Sequence, residues 1–154
     1  MPIPCRSGQF LTMAQAQSVL RQAGFPESEI VDMGAIGKAE SSLCPTAYNP
    51  NGENSIGVWQ INMNAHGTRF GTREQLFDPL TNARAALAVY KEAHGKRPWG
   101  AYTDGRYRKY LAESQQAAGQ PVTYTQTNSG SQNSKEDDTA LYVAVGILVL
   151  LLLT

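Results

Sequence analysis

Two short stretches of this sequence decide its fold: residues 39–42 read AESS, and residues 56–62 read IGVWQIN. The first closes a segment, residues 30–43, in which apolar residues recur every three or four positions, and this spacing predicts a helix. A Cys-Pro pair just beyond predicts that the helix ends near Ser42, which places Glu40 in its last turn. The second stretch follows a run of turn-forming residues and predicts a short strand or extended segment.

Helix signals on both sides of these stretches predict the rest of the domain. Thr12 begins a capping-box pattern at the start of a first helix, and Gly24 is expected to end that helix. Asp78 followed by Pro79 predicts the start of a third main helix, with Gly95 as its C-cap. The predicted fold class is α+β and predominantly α, with a small β or extended insert between the second and third main helices.

Composition predicts four parts in the chain of 154 residues. Residues 1–11 form an N-terminal arm, residues 12–118 the globular domain, residues 119–138 a flexible polar linker and residues 139–154 a hydrophobic helix. The last part is almost wholly apolar and has no polar face to turn toward water. As a helix, its apolar core at 140–153 spans about 21 Å against about 30 Å for a bilayer core. We therefore expect a membrane anchor that thins the bilayer locally.

The charges and the histidines argue against two kinds of partner. Formal charge is balanced, with 13 Lys and Arg residues against 13 Asp and Glu residues, which argues against nucleic acid as the main partner. The basic residues Arg106, Arg108 and Lys109 are interpreted as a solvated helix face. His66 and His94 lie far apart in sequence, so no metal site is predicted.

Several blocks of sequence within residues 12–112 resemble the lysozyme-like lytic transglycosylases of the soluble lytic transglycosylase and goose-type lysozyme superfamily, in particular its phage-type muralytic domains. The blocks follow the family's order, which is more specific than a lone Gly-x-x-Gln motif, and they imply a lysozyme-like fold. They read AGFP at 23–26 leading into AESS at 39–42, then GVWQIN at 57–62, NARAA at 82–86, and WGAY at 99–102 with GRYRKYL at 105–111.

The resemblance implies roles for individual side chains. Glu40 resembles the family's catalytic acid and base, and Ser41 resembles the neighbour that supports it. Gln60 and Asn62 resemble contacts of the glycan groove, and Tyr102 resembles a tyrosine that faces the catalytic Glu. No metal or organic cofactor is implied. The predicted substrate-binding residues are Ser41, Gln60, Asn62, Tyr102 and Trp59.

Two of the predicted positions allow alternative interpretations. Trp59 either packs in the core, as large aromatic side chains do, or stacks on a sugar face. Glu53 is either a solvated loop residue or a second carboxylate across the cleft from Glu40, as in true lysozymes.

Partial burial and the C-terminal end of a helix both disfavour the charged form of Glu40, so we expect that carboxyl to stay protonated to higher pH than usual.

The resemblance implies an enzyme that cleaves the β-1,4 bond between N-acetylmuramic acid and N-acetylglucosamine in peptidoglycan. If Glu40 works alone, the product carries a 1,6-anhydro end, as in a lytic transglycosylase. If Glu53 takes part, the reaction is a lysozyme-type hydrolysis. A non-catalytic glycan-binding or structural membrane protein of a virion is a further alternative.

The two ends of the chain and its two cysteines bear on where it works. The N-terminus has no apolar core typical of a secretory signal. A wall-degrading domain with only a C-terminal anchor predicts attachment to the internal membrane of a virion or to the bacterial cell envelope. Cys5 and Cys44 either form one disulfide in an oxidising compartment or remain free thiols in the cytosol.

Overall fold

The fold is a set of helices with one small sheet inserted between them. The computed structural model describes residues 4–120 and 122–125. In chain order the elements are α1 (Met13–Ala23), α2 (Glu27–Ser41), β1 (Tyr48–Asn49), β2 (Ser55–Ile56), β3 (Ile61–Asn62), α3 (Met63–His66), α4 (Arg73–Leu76), α5 (Pro79–Glu92), α6 (Gly100–Thr103), a 3-10 helix (Arg106–Tyr110) and α7 (Leu111–Ala118). This arrangement confirms the predicted mostly helical α+β class.

Local capping signals fix both ends of α1. The Thr12 hydroxyl accepts a hydrogen bond from the Gln15 N–H at 3.1 Å, and the Gln15 side chain accepts one from the Thr12 N–H at 2.9 Å. Gly24 follows the helix in the left-handed conformation, with φ 96°, which costs glycine little. The predicted start and end of this helix are confirmed.

The end of α2 is equally well defined. The helix ends at Ser41, and Ser42 is its C-cap, as the sequence predicted. Ser42 and Leu43 both adopt positive φ, at 58° and 64°, so the chain turns sharply as soon as the helix ends. Glu40 therefore lies one residue before the end of the helix, at a corner of the fold.

The insert is a three-stranded antiparallel sheet in the order β1-β2-β3. Ile56 lies opposite Tyr48 on one side and Ile61 on the other. The prediction of one extended segment over residues 56–62 is wrong, because residues 57–60 form a turn that joins β2 to β3. Gly57 and Gln60 have positive φ in this turn, 79° and 45°.

The core lies between α1, α2, α5 and the turn of the insert. Trp59 is fully buried there, and its indole N–H donates to the Met33 carbonyl of α2 at 2.9 Å. The Trp99 indole in turn donates to the Trp59 carbonyl at 2.9 Å. Burial of a large apolar side chain contributes roughly 1.5–3 kcal/mol. Other fully buried members include Val19, Leu20, Ile30, Ile36, Ile56, Val58 and Ala83.

The boundaries of α5 confirm one prediction and correct another. Asp78 caps the helix by accepting the Thr81 N–H at 2.8 Å, and Pro79 is the first helical residue. The helix ends at Glu92 with Ala93 as its C-cap, so Gly95 is not the C-cap. Gly95 lies just beyond the helix, and its N–H donates to a carbonyl of the last turn at 2.9 Å.

The N-terminal arm is attached to the domain at the end of α2. Cys5 and Cys44 form a disulfide with their Cα atoms 5.7 Å apart. Cys5 also forms a β-bridge with Ala47, and the Leu11 N–H donates to the Leu43 carbonyl at 3.0 Å. Of the two alternatives for the cysteines, the structure contains the disulfide.

Part of the segment predicted as a linker contacts the helical domain. The Tyr124 N–H donates to the Ser18 hydroxyl at 2.9 Å, and the Gln22 side chain donates to the Tyr124 carbonyl at 3.0 Å. The predicted anchor at residues 139–154 lies outside the described residues. Within residues 4–120 and 122–125, no helix has the length and apolar character needed to cross a membrane.

Candidate active site

Glu40 is held at the corner between α2 and α6. Its Oε1 accepts a hydrogen bond from the Ala101 N–H at 2.7 Å. Gly100 opens α6 beside this carboxyl, and a Cβ on that residue would lie 4.0 Å from Oε1. Within the described residues, Glu40 Oε2 has no hydrogen bond to the protein, so this oxygen is the one available to a bound molecule.

A cleft begins at Glu40 and is bounded by the sheet on one side and the segment before α6 on the other. Glu53 lines the cleft together with Glu40, so the structure places both carboxylates of interest in one depression. The remaining lining residues are Asn49, Ser55, Gln60, Pro98, Trp99 and Gly100.

The environment of Glu40 favours its protonated form. Burial raises the pKa of this carboxyl above its usual value, because water no longer stabilises the anion. The Ala101 N–H and the Arg106 cation lower the pKa, whereas Asp104 and Glu53 raise it, and the net direction is upward. A carboxyl of this kind is suited to donate a proton near neutral pH.

Gln60 connects this cleft to a second one. Its side-chain N–H donates to the Gly57 carbonyl at 2.9 Å, and its Oε1 is buried without a hydrogen-bond partner in the described part of the chain. Gln60, Pro98 and Trp99 line both clefts, so the two lie next to each other. The second cleft is lined by Gln60, Ile61, Asn62, Ala65, His66, Val89, Pro98 and Trp99.

Comparison with known proteins identifies the domain. A family model described as a lysozyme-like domain matches residues 17–101, which is more than half of the chain. The chain belongs to this family. The match runs from α1 to the second residue of α6 and so includes both Glu40 and the amide that binds it. No curated protein and no solved structure matches the sequence.

Membership of the lysozyme-like domains gives the coarse activity. It indicates an enzyme that acts on the glycan strands of peptidoglycan. Glu40 lies inside the matched region.

Ser41 and Trp59 do not face the cleft of this lysozyme-like domain. The Ser41 hydroxyl is buried and donates to the carbonyls of Val58 and Gly37, at 2.8 and 3.1 Å. Trp59 is fully buried, so the prediction that it binds substrate is wrong and its packing alternative is the one observed. Both side chains are placed to support the site from within, and neither is placed to contact a sugar.

Neither Asn62 nor Tyr102 lines the Glu40 cleft. Asn62 lines the second cleft, and its side chain also caps α3 by accepting the Ala65 N–H at 2.9 Å. Tyr102 is absent from the lining of both clefts and packs beside Tyr107, with ring centroids 5.2 Å apart. The expectation that Tyr102 faces the carboxyl therefore has no contact to support it in the described residues.

Glu53 lies in the exposed turn between β1 and β2. Its Oε2 accepts a hydrogen bond from the Ser55 hydroxyl at 3.4 Å, and its charge raises the pKa of Glu40. Glu53 is exposed and also lines the cleft, so its position is compatible with both alternatives.

Two groups at the site could not be identified from residue type. The Ala101 amide belongs to the main chain, so no side-chain pattern reveals it. Arg106 was interpreted as part of a solvated face, yet its guanidinium contacts Asp104 and the Ala39 carbonyl and acts on Glu40. The Asp-x-Arg spacing was the one available signal for this contact.

Proposed function

We propose that this chain is a lytic transglycosylase that cleaves the β-1,4 bond between N-acetylmuramic acid and N-acetylglucosamine in peptidoglycan. The observation that carries the proposal is the state of Glu40. It is a partly buried carboxyl with a raised pKa that lines a cleft, and one of its oxygens is held by a backbone amide. Membership of the lysozyme-like domains supports the substrate class.

In the first step, Glu40 acts as a general acid. Its proton passes to the glycosidic oxygen as the bond from that oxygen to C1 of the muramic acid breaks, and the sugar becomes oxocarbenium-like. The Glu40 carboxylate that remains keeps its hydrogen bond from Ala101, which stabilises the new charge.

In the second step, the same carboxylate acts as a general base. It takes the proton from the C6 hydroxyl of the muramic acid while that oxygen forms a bond to C1. The product is a 1,6-anhydro ring, and Glu40 returns to its neutral acid form. The substrate supplies the nucleophile, so no second protein carboxylate is needed.

A second candidate function is lysozyme-type hydrolysis, and the presence of Glu53 in the Glu40 cleft favours it. Glu53 would then activate a water molecule or stabilise the oxocarbenium ion, and the product would carry a reducing end. The products of the two reactions differ by one water molecule.

Mass spectrometry of the fragments released from purified peptidoglycan tests the proposal with the full-length protein. Anhydro ends from the wild type are the expected result, and reducing ends would support hydrolysis instead. Glu40→Gln should reduce the rate by roughly 10²–10⁴-fold, whereas Glu53→Gln should still give anhydro ends. Glu74→Gln, at an exposed position outside the cleft, is the matched control. Glycan binding by the wild type without any release would support the non-catalytic alternative.

We further propose that residues 139–154 attach the enzyme to a membrane, in a virion or in the bacterial cell envelope. The support is the apolar composition of this segment. Flotation of the full-length protein with liposomes tests it, with Leu148→Lys as the variant that should lose binding. Equal flotation of both proteins would overturn the proposal.

A further inference from the structure

Arg106 makes contacts on both sides of the Glu40 corner. Its backbone N–H and its Nε both donate to the Asp104 carboxylate, at 2.9 and 2.6 Å. This pair of bonds to one carboxylate fixes the direction of the guanidinium. Nη1 then reaches the carbonyl of Ala39, the residue before Glu40, at 3.4 Å.

The guanidinium also lies against the start of α6. A Cβ on Gly100 would be 3.6 Å from Arg106 Nη2 and 4.0 Å from Glu40 Oε1, so the cation and the carboxyl flank the same glycine. Gly100 precedes Ala101, whose N–H binds Glu40. Arg106 thus contacts the end of α2 that carries Glu40 and the end of α6 that supplies its hydrogen-bond donor.

Two physical effects make this contact useful. The last carbonyls of a helix carry partial negative charge and lack partners within the helix, so a cation there is favourable. A connection between two elements also limits their relative movement, and a displacement of about 1 Å at a reacting group can cost about 100-fold in rate.

We propose that Arg106 is a positioning residue that, oriented by Asp104, holds the end of α2 against α6 and keeps the Glu40 carboxyl at the Ala101 N–H. This inference rests on the proposed function for its meaning in catalysis. Arg106 takes no part in the two proton transfers, and the positioning role explains its contacts.

Removal of Arg106 should shift the pH dependence of catalysis in one direction, because charged groups act on Glu40. The charged groups that act on this carboxyl are Arg106 and Asp104, which follow α6, and Glu53 from the β1–β2 turn. Arg106 lowers the pKa of Glu40, so its removal favours the protonated acid to higher pH. In a plot of kcat against pH, activity falls at high pH because Glu40 loses its proton. In Arg106→Met this fall should therefore occur at higher pH.

The test compares full-length wild type with Arg106→Met, Arg106→Lys and Arg108→Met. We expect Arg106→Met to lower kcat about 10-fold with little change in KM, and Arg106→Lys to recover most of the loss. Arg108→Met, a neighbouring exposed arginine on the same 3-10 helix, should behave as wild type. If kcat and its dependence on pH were the same in the Arg106→Met and Arg108→Met proteins, the inference would be overturned.

A second measurement does not depend on turnover. In wild type the NMR signal of the Ala101 amide should titrate with Glu40, and Glu40→Gln should abolish that titration. Arg106→Met should weaken it and move its midpoint to higher pH. An unchanged Ala101 titration in Arg106→Met would overturn the inference even if activity fell. A wild type with no turnover would overturn the proposed function, and the Ala101 signal would still decide the role of Arg106.

Discussion

The side-chain amide of Asn82 occupies the space that a Cβ atom on Gly57 would need. Such an atom would lie 2.6 Å from Asn82 Cγ and 2.8 Å from the Leu76 carbonyl oxygen. Asn82 binds the turn of the insert through two hydrogen bonds, both 2.9 Å long. Its Oδ1 accepts the Trp59 N–H, and its Nδ2 donates to the Ile56 carbonyl. Helix α5 thereby holds the turn that carries Gln60.

Gly57→Ala should destabilise the domain strongly. The new methyl group would collide with Asn82, and a non-glycine residue would be forced to a φ of 79°. We expect a loss of about 2–4 kcal/mol in the free energy of unfolding, measured by urea denaturation.

Gly52→Ala is the matched control for that change. Gly52 has a similar φ of 80°, but nothing lies within 4 Å of its Cβ position. It should therefore cost only the backbone term of about 1–2 kcal/mol. Equal losses at the two positions would show that the contact with Asn82 contributes nothing.

Glu40→Gln should stabilise the protein at neutral pH although it slows catalysis. The pKa of Glu40 is raised above its ordinary value of 4.5, chiefly by burial, so the folded state binds this proton more tightly than the unfolded state. Wild-type stability therefore falls as the pH rises from about 4.5 through the folded pKa. The variant avoids this cost, and its Tm at pH 7 should exceed that of wild type by a few degrees.

Thermal melts from pH 4 to pH 8 check this prediction. The difference in Tm should shrink toward pH 4, where the wild-type carboxyl is protonated in both states. A difference of constant size over the whole range would refute the electrostatic explanation.

Lys96→Met should destabilise the domain. The ammonium group of Lys96 donates to Glu29 at 2.8 Å and to Asp32 at 2.6 Å, and its side chain is only 15% exposed. Burial alone would lower the pKa of Lys96, but the bonds to Asp32 and Glu29 outweigh it and the pKa is raised. The pair of carboxylates left behind should cost about 1–3 kcal/mol by urea denaturation, less than for a fully buried pair.

Lys91→Met gives the comparison for this charge removal. Lys91 is exposed on α5, and its removal should change stability by less than about 0.5 kcal/mol. Because the raised pKa keeps Lys96 charged at neutral pH, the difference between the two variants should persist throughout the neutral range. Its loss at pH 7 would contradict the assigned ion pairs.

Reduction of the Cys5–Cys44 disulfide should lower stability substantially. The bridge joins residues 39 positions apart, and closing a loop of that size contributes about 4 kcal/mol in the chain-entropy description. We expect a clear drop in Tm with a phosphine reductant, and the same Tm for a Cys5→Ala/Cys44→Ala protein with and without reductant. An unchanged Tm on reduction of the wild type would show that the bridge adds nothing.

Local signals in the sequence predicted the helical frame well. Thr12, Gly24 and Asp78 each act through bonds or dihedral angles within a few residues, so their neighbours carry the whole signal. Glu40 could be placed in the last turn of α2 for the same reason. The prediction of Gly95 as the C-cap of α5 was wrong because the helix ends earlier, at Glu92.

Features set by distant contacts were not visible in the sequence. The turn at residues 57–60 depends on Asn82, which lies on another helix. The burial of Trp59 depends on the Met33 carbonyl, and the contact of Tyr124 with α1 depends on Ser18. Each of these contacts joins residues that are far apart in the sequence. The sequence could therefore indicate the individual residues but not which of them meet.

The donor that binds Glu40 has a consequence for how this site tolerates change. A main-chain amide is present whatever side chain occupies position 101, and only proline there would remove it. Mutational scans of side chains will therefore pass over one of the two partners in this bond. An engineer who transfers the site to another scaffold must copy the path of the backbone at Gly100 and Ala101 as well as the glutamate.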